Sequence, residues 1–174
     1  MQQSDADLVV AASRGDLASF GLLYERYYRM AVGIARSRLF DEHLAEDVAQ
    51  EAFAVACRTL STLEHKDKFP QWLGTICRRT ASRLGKAQQN HEALTDDTVP
   101  TSNIRLPALQ QEIHEVLEQL DESSREIVLL HYFSGLSYKE IADVVDLSTQ
   151  AIHGRLQRTR NKLATILNSS ETKQ

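Results

Sequence analysis

Residues 135–160 read GLSYKEIADVVDLSTQAIHGRLQRTR. Within them, Ser137-Tyr138-Lys139-Glu140 puts Ser at the residue before a helix and Glu three positions on. At that spacing each side chain satisfies a backbone N–H that the first helical turn leaves free. Gly135 stands just upstream, where a preceding helix must end in the left-handed conformation that glycine adopts without steric cost. The pattern predicts a helix over Tyr138–Val145, a turn at Asp146-Leu147-Ser148, and a final helix capped by Ser148 and running to about Leu167. Ile141, Ala142, Val145, Leu147, Ile152 and Leu156 fall on the inward side, with Ala142 where two helices must approach closely. A short helix, a three-residue turn and a longer helix form the pattern of a DNA-binding helix-turn-helix.

Taking the apolar residues off the final helix leaves Thr149, Gln150, His153, Arg155, Gln157, Arg158 and Arg160 for its outer face. Gln can pair with adenine and Arg with guanine, and the remaining cations can meet phosphates. A solvated basic helix in a bundle would show the same outer cations. The distribution of charge speaks for the DNA reading: residues 108–147 hold nine acidic and two basic side chains, whereas 148–174 hold five basic and one acidic. The net charge of −4 therefore conceals a basic terminal segment.

Upstream, Ser123-Ser124-Arg125-Glu126 repeats the capping-box spacing, with Ser123 as N-cap and Glu126 at the third helical position, opening an apolar helix over residues 127–133. Before it, Leu109, Ile113, Val116, Leu117 and Leu120 form an apolar stripe, beginning at Pro107, a residue suited to a first helical turn. Residues 87–107, rich in Gln, Asn, Thr and Asp, read as a linker of about 20 residues.

The first block is helical as well. Phe20, Leu23, Tyr24, Tyr27 and Tyr28 share one side of a helix that follows Asp16 as N-cap and runs through Ile34 towards Leu39. A second helix starts at Asp41 with Leu44, Val48, Ala52, Val55 and Ala56 inward. Residues 61–70 break the pattern. A third helix over roughly 71–86 carries Trp72, Leu73, Ile76 and Ala81 beside Arg78, Arg79, Arg83 and Lys86, with Trp72 and Ile76 read as core.

With 42% hydrophobic and 25% charged residues the chain can bury a core, and only three prolines and seven glycines favour long helices with short turns. The expected architecture is all-α: two small helical domains, residues 1–86 and 108–174, joined by the flexible linker 87–107. No apolar run reaches the roughly 20 residues of a membrane span, and the polar, acidic start has no signal-peptide character. A cytoplasmic protein without membrane insertion is expected. His43, His65, His91, His114, His131 and His153 fall in no zinc-ligand spacing, and neither a Gly-rich phosphate loop nor a nucleophile elbow occurs. The expectation is no enzyme: no catalytic residues, no metal, no cofactor and no small-molecule substrate. His131 reads as a structural histidine. Cys57 and Cys77 read as small core residues, with a redox pairing left open.

The segment 120–163, LDESSREIVLLHYFSGLSYKEIADVVDLSTQAIHGRLQRTRNKL, resembles region 4 of bacterial sigma factors. The first block resembles region 2 in LYERYYRMAVGIARSRL (23–39), AEDVAQEAF (45–53) and FPQWLGTICRRTASRL (69–84). Two such regions joined by a polar linker look like the extracytoplasmic-function, group 4 subclass, over residues 22–167. The resemblance implies a promoter-specificity subunit of bacterial RNA polymerase that binds core enzyme, recognises the −35 and −10 elements and assists melting. It implies that Glu46, Asp47, Gln50 and Glu51 dock on the clamp coiled coil of the largest polymerase subunit. An ordinary solvated acidic face would read the same without the resemblance. It further implies that the third helix reads the −10 element, with a flipped non-template base held near residues 64–69. Phe69, Arg78, Arg79, Arg83 and Lys86 supply the aromatic and cationic groups that an unstacked strand needs.

Arg79 and Arg83 depart from the family, which often has Asn and Asp there, and Asp146 stands where Gly is common. The implied partners are core RNA polymerase, promoter DNA and an anti-sigma factor. The rival reading is a dimeric helix-turn-helix regulator acting without polymerase.

Overall fold

The computed structural model describes residues 3–94 and 108–171, and among these every regular element is helical. Four helices build the first block: α1 (Asp5–Ser13), α2 (Leu17–Arg36), α3 (Glu42–Thr59) and α4 (Phe69–Leu94). Two 3₁₀ turns, Leu60–Thr62 and Lys66–Lys68, link α3 to α4. The second block holds α5 (Ala108–Glu118), α6 (Glu122–Val128), α7 (Tyr138–Val145) and α8 (Thr149–Glu171), and α6 runs on into a π-helical turn, Leu129–Phe133.

Most helix starts sit where short polar side chains can accept from the first free N–H groups. Asp16 accepts from the Ala18 N–H at 3.0 Å, and Asp41 accepts from the Leu44 N–H at 2.9 Å. The Ser19 hydroxyl donates to Asp16 at 2.6 Å, and this bond holds the Asp16 carboxyl below the usual carboxylate range. At α7 both halves of the capping box form: the Glu140 N–H donates to Ser137 Oγ at 3.3 Å, and the Ser137 N–H donates to Glu140 Oε2 at 2.8 Å. Ser148 caps α8 by accepting from the Ala151 N–H at 3.1 Å.

The turns follow their residues too. Gly135 has φ +77° and lets the Leu136 N–H reach back to the Leu130 carbonyl at 3.0 Å. Asp146 takes the left-handed conformation, φ 56° and ψ 49°, which Asp tolerates better than most residues, and so closes α7.

One helix was not foreseen and three expectations need correction. The chain forms α1, whose run Leu8-Val9-Val10-Ala11-Ala12 shows no single periodic face, yet Leu8 and Val9 are fully buried. The cap of α6 is Asp121, which accepts from the Ser124 N–H at 2.9 Å; Ser123 lies inside the first turn, and Glu126 is turned to another purpose. The third helix begins at Phe69 and continues to Leu94, because residues 87–94 contain good helix formers and neither Gly nor Pro. The first part of the expected linker is therefore helix. Residues 95–107, including the expected helix start at Pro107, lie outside the described residues.

One buried apolar cluster runs from Leu8 and Leu23 through Phe53 and Phe69 to Ile127, Ile141, Ile152 and Leu156. In the first block Phe53 packs on Tyr24 and Phe20, with ring centroids 4.7 and 6.3 Å apart. The two blocks are thus seated against each other, α2 and α4 meeting the π turn and α7. Gly33 on α2 permits this approach, since a Cβ there would collide with Ser134 Oγ.

Cys57, read from the sequence as a core residue, is instead exposed on α3, whereas Cys77 is wholly buried on α4 as expected. Burial pushes the Cys77 thiol up to about 12. Because the thiolate is the reactive form, a thiol reagent at pH 8 is expected to modify one cysteine per native chain and two after unfolding. Two fast-reacting thiols in the native protein would contradict this packing.

Candidate interfaces for nucleic acid and protein

Three polar faces stand out, on α3, α4 and α8. On α3 the apolar Ala45, Val48, Ala49, Ala52, Phe53 and Ala56 turn inward. At about 100° per residue this leaves Glu46, Asp47, Gln50 and Glu51 together on the opposite side. Glu46, Asp47 and Gln50 are exposed, and Glu51 is partly so. Glu51 faces Arg58 and Arg83, each at 3.7 Å, so the acidic face borders a cationic one. Burial pushes the Tyr28 phenol up, and the neighbouring Tyr24, Glu46 and Asp47 add to the rise.

On α4 the spacing of Arg79, Arg83 and Lys86 (i, i+4, i+7) places all three in one strip, and all three are exposed. Arg78 and Phe69 do not join them. Phe69 is fully buried, its ring 5.6 Å from Tyr27 and 6.0 Å from Trp72. Sequence reading placed it in a loop available to a strand; as the first residue of α4 it serves the core instead. Trp72 is half-buried beside it, in keeping with a core role. Arg78 is drawn away by Glu126 of α6, which it meets through Nε at 3.1 Å and Nη2 at 2.5 Å. The loop before α4 exposes Glu64, His65, Asp67 and Lys68.

On α8, Ile152, Leu156 and Thr159 are buried. Thr149, Gln150, His153, Gln157 and Arg160 fall within an arc of about 100° on the outer side, and all five are exposed. Arg158 is exposed beyond the edge of that arc. Arg155 lies on the far flank, partly buried, donating to Ser123 Oγ at 2.5 Å. The structure thus separates it from the other six. Arg160 donates to the hydroxyls of Tyr132 at 2.6 Å and Tyr138 at 3.2 Å, and these bonds raise the guanidinium pKa further. His153 sits edge-on to Tyr138 at 5.9 Å, and His131 accepts its role as a structural residue, its Nδ1 2.9 Å from the Leu136 carbonyl oxygen. The polar strip of α8 is therefore braced from α7 and the π turn before it meets any ligand.

Sequence reading missed the groups between the blocks: Arg29, Arg36, Arg38, Phe133, Ser134 and the buried Glu126. One signal was present, a carboxylate set directly before the apolar run Ile127-Val128-Leu129-Leu130, but its partners are distant in the chain.

The pattern of the family described as Sigma-70 region 2 matches residues 23–90, and that described as Sigma-70, region 4 matches residues 110–163. The chain is 31% identical to the RNA polymerase sigma factor NccH of Alcaligenes xylosoxydans xylosoxydans, over 96% of each chain. It is 30% identical to the ECF RNA polymerase sigma-E factor of Escherichia coli, over 93% of each. Among solved structures it is similar to CnrH in complex with the cytosolic domain of CnrY. That match has a TM-score of 0.68 and 28% identity, and covers 96% of this chain and 99% of that one. CnrH itself is known from Cupriavidus metallidurans.

Proposed function

The chain belongs to the sigma-70 family of RNA polymerase sigma factors, within the ECF group, and on that premise we propose how its three polar faces divide the work of a promoter-specificity subunit. Core polymerase docks on the α3 face of Glu46, Asp47, Gln50 and Glu51, where acidic side chains complement a basic partner. The cationic strip Arg79, Arg83 and Lys86, joined by Arg78 when it is free, holds the displaced −10 strand. The outer strip of α8 enters the major groove at the −35 element, with Gln150 and His153 over base edges and Arg158 at the phosphates.

The observation that supports this division most is that an acidic face and a cationic strip share one block while the helix-turn-helix stands on the other. A dimeric regulator would need a helix-turn-helix and a dimer surface, and it leaves the paired region 2 and region 4 matches without a purpose. The work is binding and positioning, done in the cytoplasm without catalytic groups of the chain's own. No described helix is long and apolar enough to cross a membrane. CnrH is known in complex with the cytosolic domain of CnrY, and we infer for this chain a protein partner too, an anti-sigma factor.

Both elements must be held at once. Their centres lie about 85 Å apart at about 3.4 Å per base pair, whereas a compact chain of this length is only about 40 Å across. The two blocks must therefore part on the promoter.

Run-off transcription with core polymerase on a genomic promoter library tests the assignment on α8. Gln150→Ala is expected to lose about five- to a hundredfold at promoters carrying its base, and less elsewhere. Arg158→Ala should weaken all promoters alike and lower the salt dependence by about one phosphate contact. Arg155→Ala should change promoter choice least, since that side chain already serves Ser123. A loss of −35 preference in Arg155→Ala alone would reverse the two roles.

A further inference from the structure

Arg26, Arg36, Arg38, Arg58, Arg78 and Arg83 each face a carboxylate. Arg160 on α8 is held differently. Its Nε donates to the Tyr132 hydroxyl at 2.6 Å and its Nη2 to the Tyr138 hydroxyl at 3.2 Å, and among the described residues no acid pairs with it. The difference decides what the charge can do. A carboxylate neutralises the guanidinium that it orients, whereas a phenol orients it and leaves the positive charge for another anion.

The two phenols are themselves fixed. His131 stands edge-on to both, its ring 4.8 Å from that of Tyr132 and 5.1 Å from that of Tyr138. Its Nδ1–H donates to the Leu136 carbonyl at 2.9 Å, an oxygen that can only accept. The Arg160 guanidinium also lies over the Tyr132 ring at 5.8 Å. Tyr132 belongs to the π turn, Tyr138 opens α7 and Arg160 lies on α8, so three elements converge on one spot.

Each phenol oxygen accepts from Arg160 and keeps one O–H to donate. Among the described residues neither hydroxyl donates to a protein group, and Nη1 of Arg160 has no partner. Tyr132 is 58% exposed and Arg160 is exposed, so the cluster opens to solvent. Spare donors around a charge that lacks a counter-charge suit an anion. Position along α8 says which. Arg160 follows His153 by seven residues and Gln157 by three, on the same side of the helix. At 1.5 Å per residue it lies about 10 Å farther along the axis than His153. The major groove is about 12 Å wide, so a helix with His153 over base edges brings Arg160 to the groove's rim, where phosphates run.

We propose that Tyr132, Tyr138 and Arg160 form a preset seat for one backbone phosphate at the rim of the −35 groove, and that Tyr132, outside the helix-turn-helix itself, aims Arg160 at it. This rests on the role given to α8 above. The seat fixes how far α8 slides along the groove, and so places Gln150 and His153 over their bases.

The test uses holoenzyme assembled from the full chain and core polymerase, with a dye-labelled duplex of a promoter that it transcribes. In a series of otherwise identical duplexes, one phosphate at a time along the −35 element is replaced by a neutral methylphosphonate. Fluorescence anisotropy reads the affinity for each.

The wild type is expected to lose about tenfold at one rim phosphate. Tyr132→Phe keeps the ring and removes the hydroxyl. It should bind the unmodified duplex about fivefold more weakly and lose most of its sensitivity at that one position. Arg160→Gln should lose the same sensitivity and flatten the log–log salt slope by about 0.9. The loss in the double variant should fall short of the product of the two single losses, since both residues serve one phosphate. Every variant should keep the wild-type ratio between matched and scrambled −35 sequences, because a phosphate carries no sequence information.

Full methylphosphonate sensitivity in Tyr132→Phe would overturn the proposal. So would a loss spread over all positions with a lower thermal midpoint, which would make the tyrosine only a brace. A weaker hold on core enzyme, with DNA contacts intact, would give the cluster to a protein partner and overturn it as well. A failure of the α8 reading shows separately, as wild-type holoenzyme that binds matched and scrambled −35 duplexes alike.

Discussion

Asp47→Arg is expected to lower the affinity for core polymerase at least about a hundredfold, with folding unaffected. The side chain is exposed on α3, beside Glu46 and Gln50 and opposite the face that packs into the core. Reversing its charge removes one attraction and creates a repulsion against the basic surface that this face is proposed to meet. Such like-charge encounters cost several kcal/mol, and each 1.4 kcal/mol is about tenfold in affinity. Titration of labelled protein with core enzyme measures the loss, and circular dichroism checks that the helices remain. The effect should shrink at high salt, since the contact is exposed. Wild-type affinity in Asp47→Arg would show that the acidic face is merely solvated.

Phe69→Ala is expected to be the most damaging single change to the fold, and its effect separates two roles for this residue. A fully buried Phe cut to Ala costs about 3–5 kcal/mol, from lost burial and from the cavity left behind. The ring lies against Tyr27 and Trp72 at the start of α4, so little can move in to fill the gap. For a chain of this size the thermal midpoint should fall by about 10 °C or more. Phe69→Leu should recover most of the stability and support transcription. An unchanged midpoint in Phe69→Ala, together with failed promoter melting, would return Phe69 to the strand-binding set and remove it from the core.

The capping and turn residues were legible because their chemistry is local. Ser137 with Glu140, Gly135, Asp146 and Ser148 each act within a few residues of where they stand, and together they define α7, its turn and α8. Asp16 and Asp41 mark the starts of α2 and α3 in the same way. Where two short polar residues compete for one cap, the pattern misleads: Asp121 and Ser123 both precede an apolar run, and only the backbone shows that Asp121 wins. Helix α1 was obscured because Leu8 and Val9 sit among further apolar residues, so no stripe is visible. The extension of α4 to Leu94 was obscured by polar residues that suit helix as well as linker.

The candidate sites were legible as residue types and less so as positions. Arg79, Arg83 and Lys86 form the expected strip, since three residues at helical spacing must share a side. Arg78 and Arg155 were grouped with their neighbours by charge alone. One is claimed by Glu126 across the block interface, 48 residues away in sequence, and the other by Ser123 on a different helix. No periodicity in a single helix encodes such a partner. Glu126 itself reads as a helix-cap residue in sequence, and its pairing with Arg38 and Arg78 emerges only when the blocks are seated together.

The most direct measurement is size-exclusion chromatography of the purified chain mixed with bacterial core RNA polymerase, followed by run-off transcription from the eluted peak. The chain should co-elute with core enzyme in a one-to-one complex and direct transcription from a subset of promoters that core enzyme alone ignores. A chain that elutes apart from polymerase, or that binds it without conferring any promoter choice, would contradict the assignment of its two halves to polymerase and promoter.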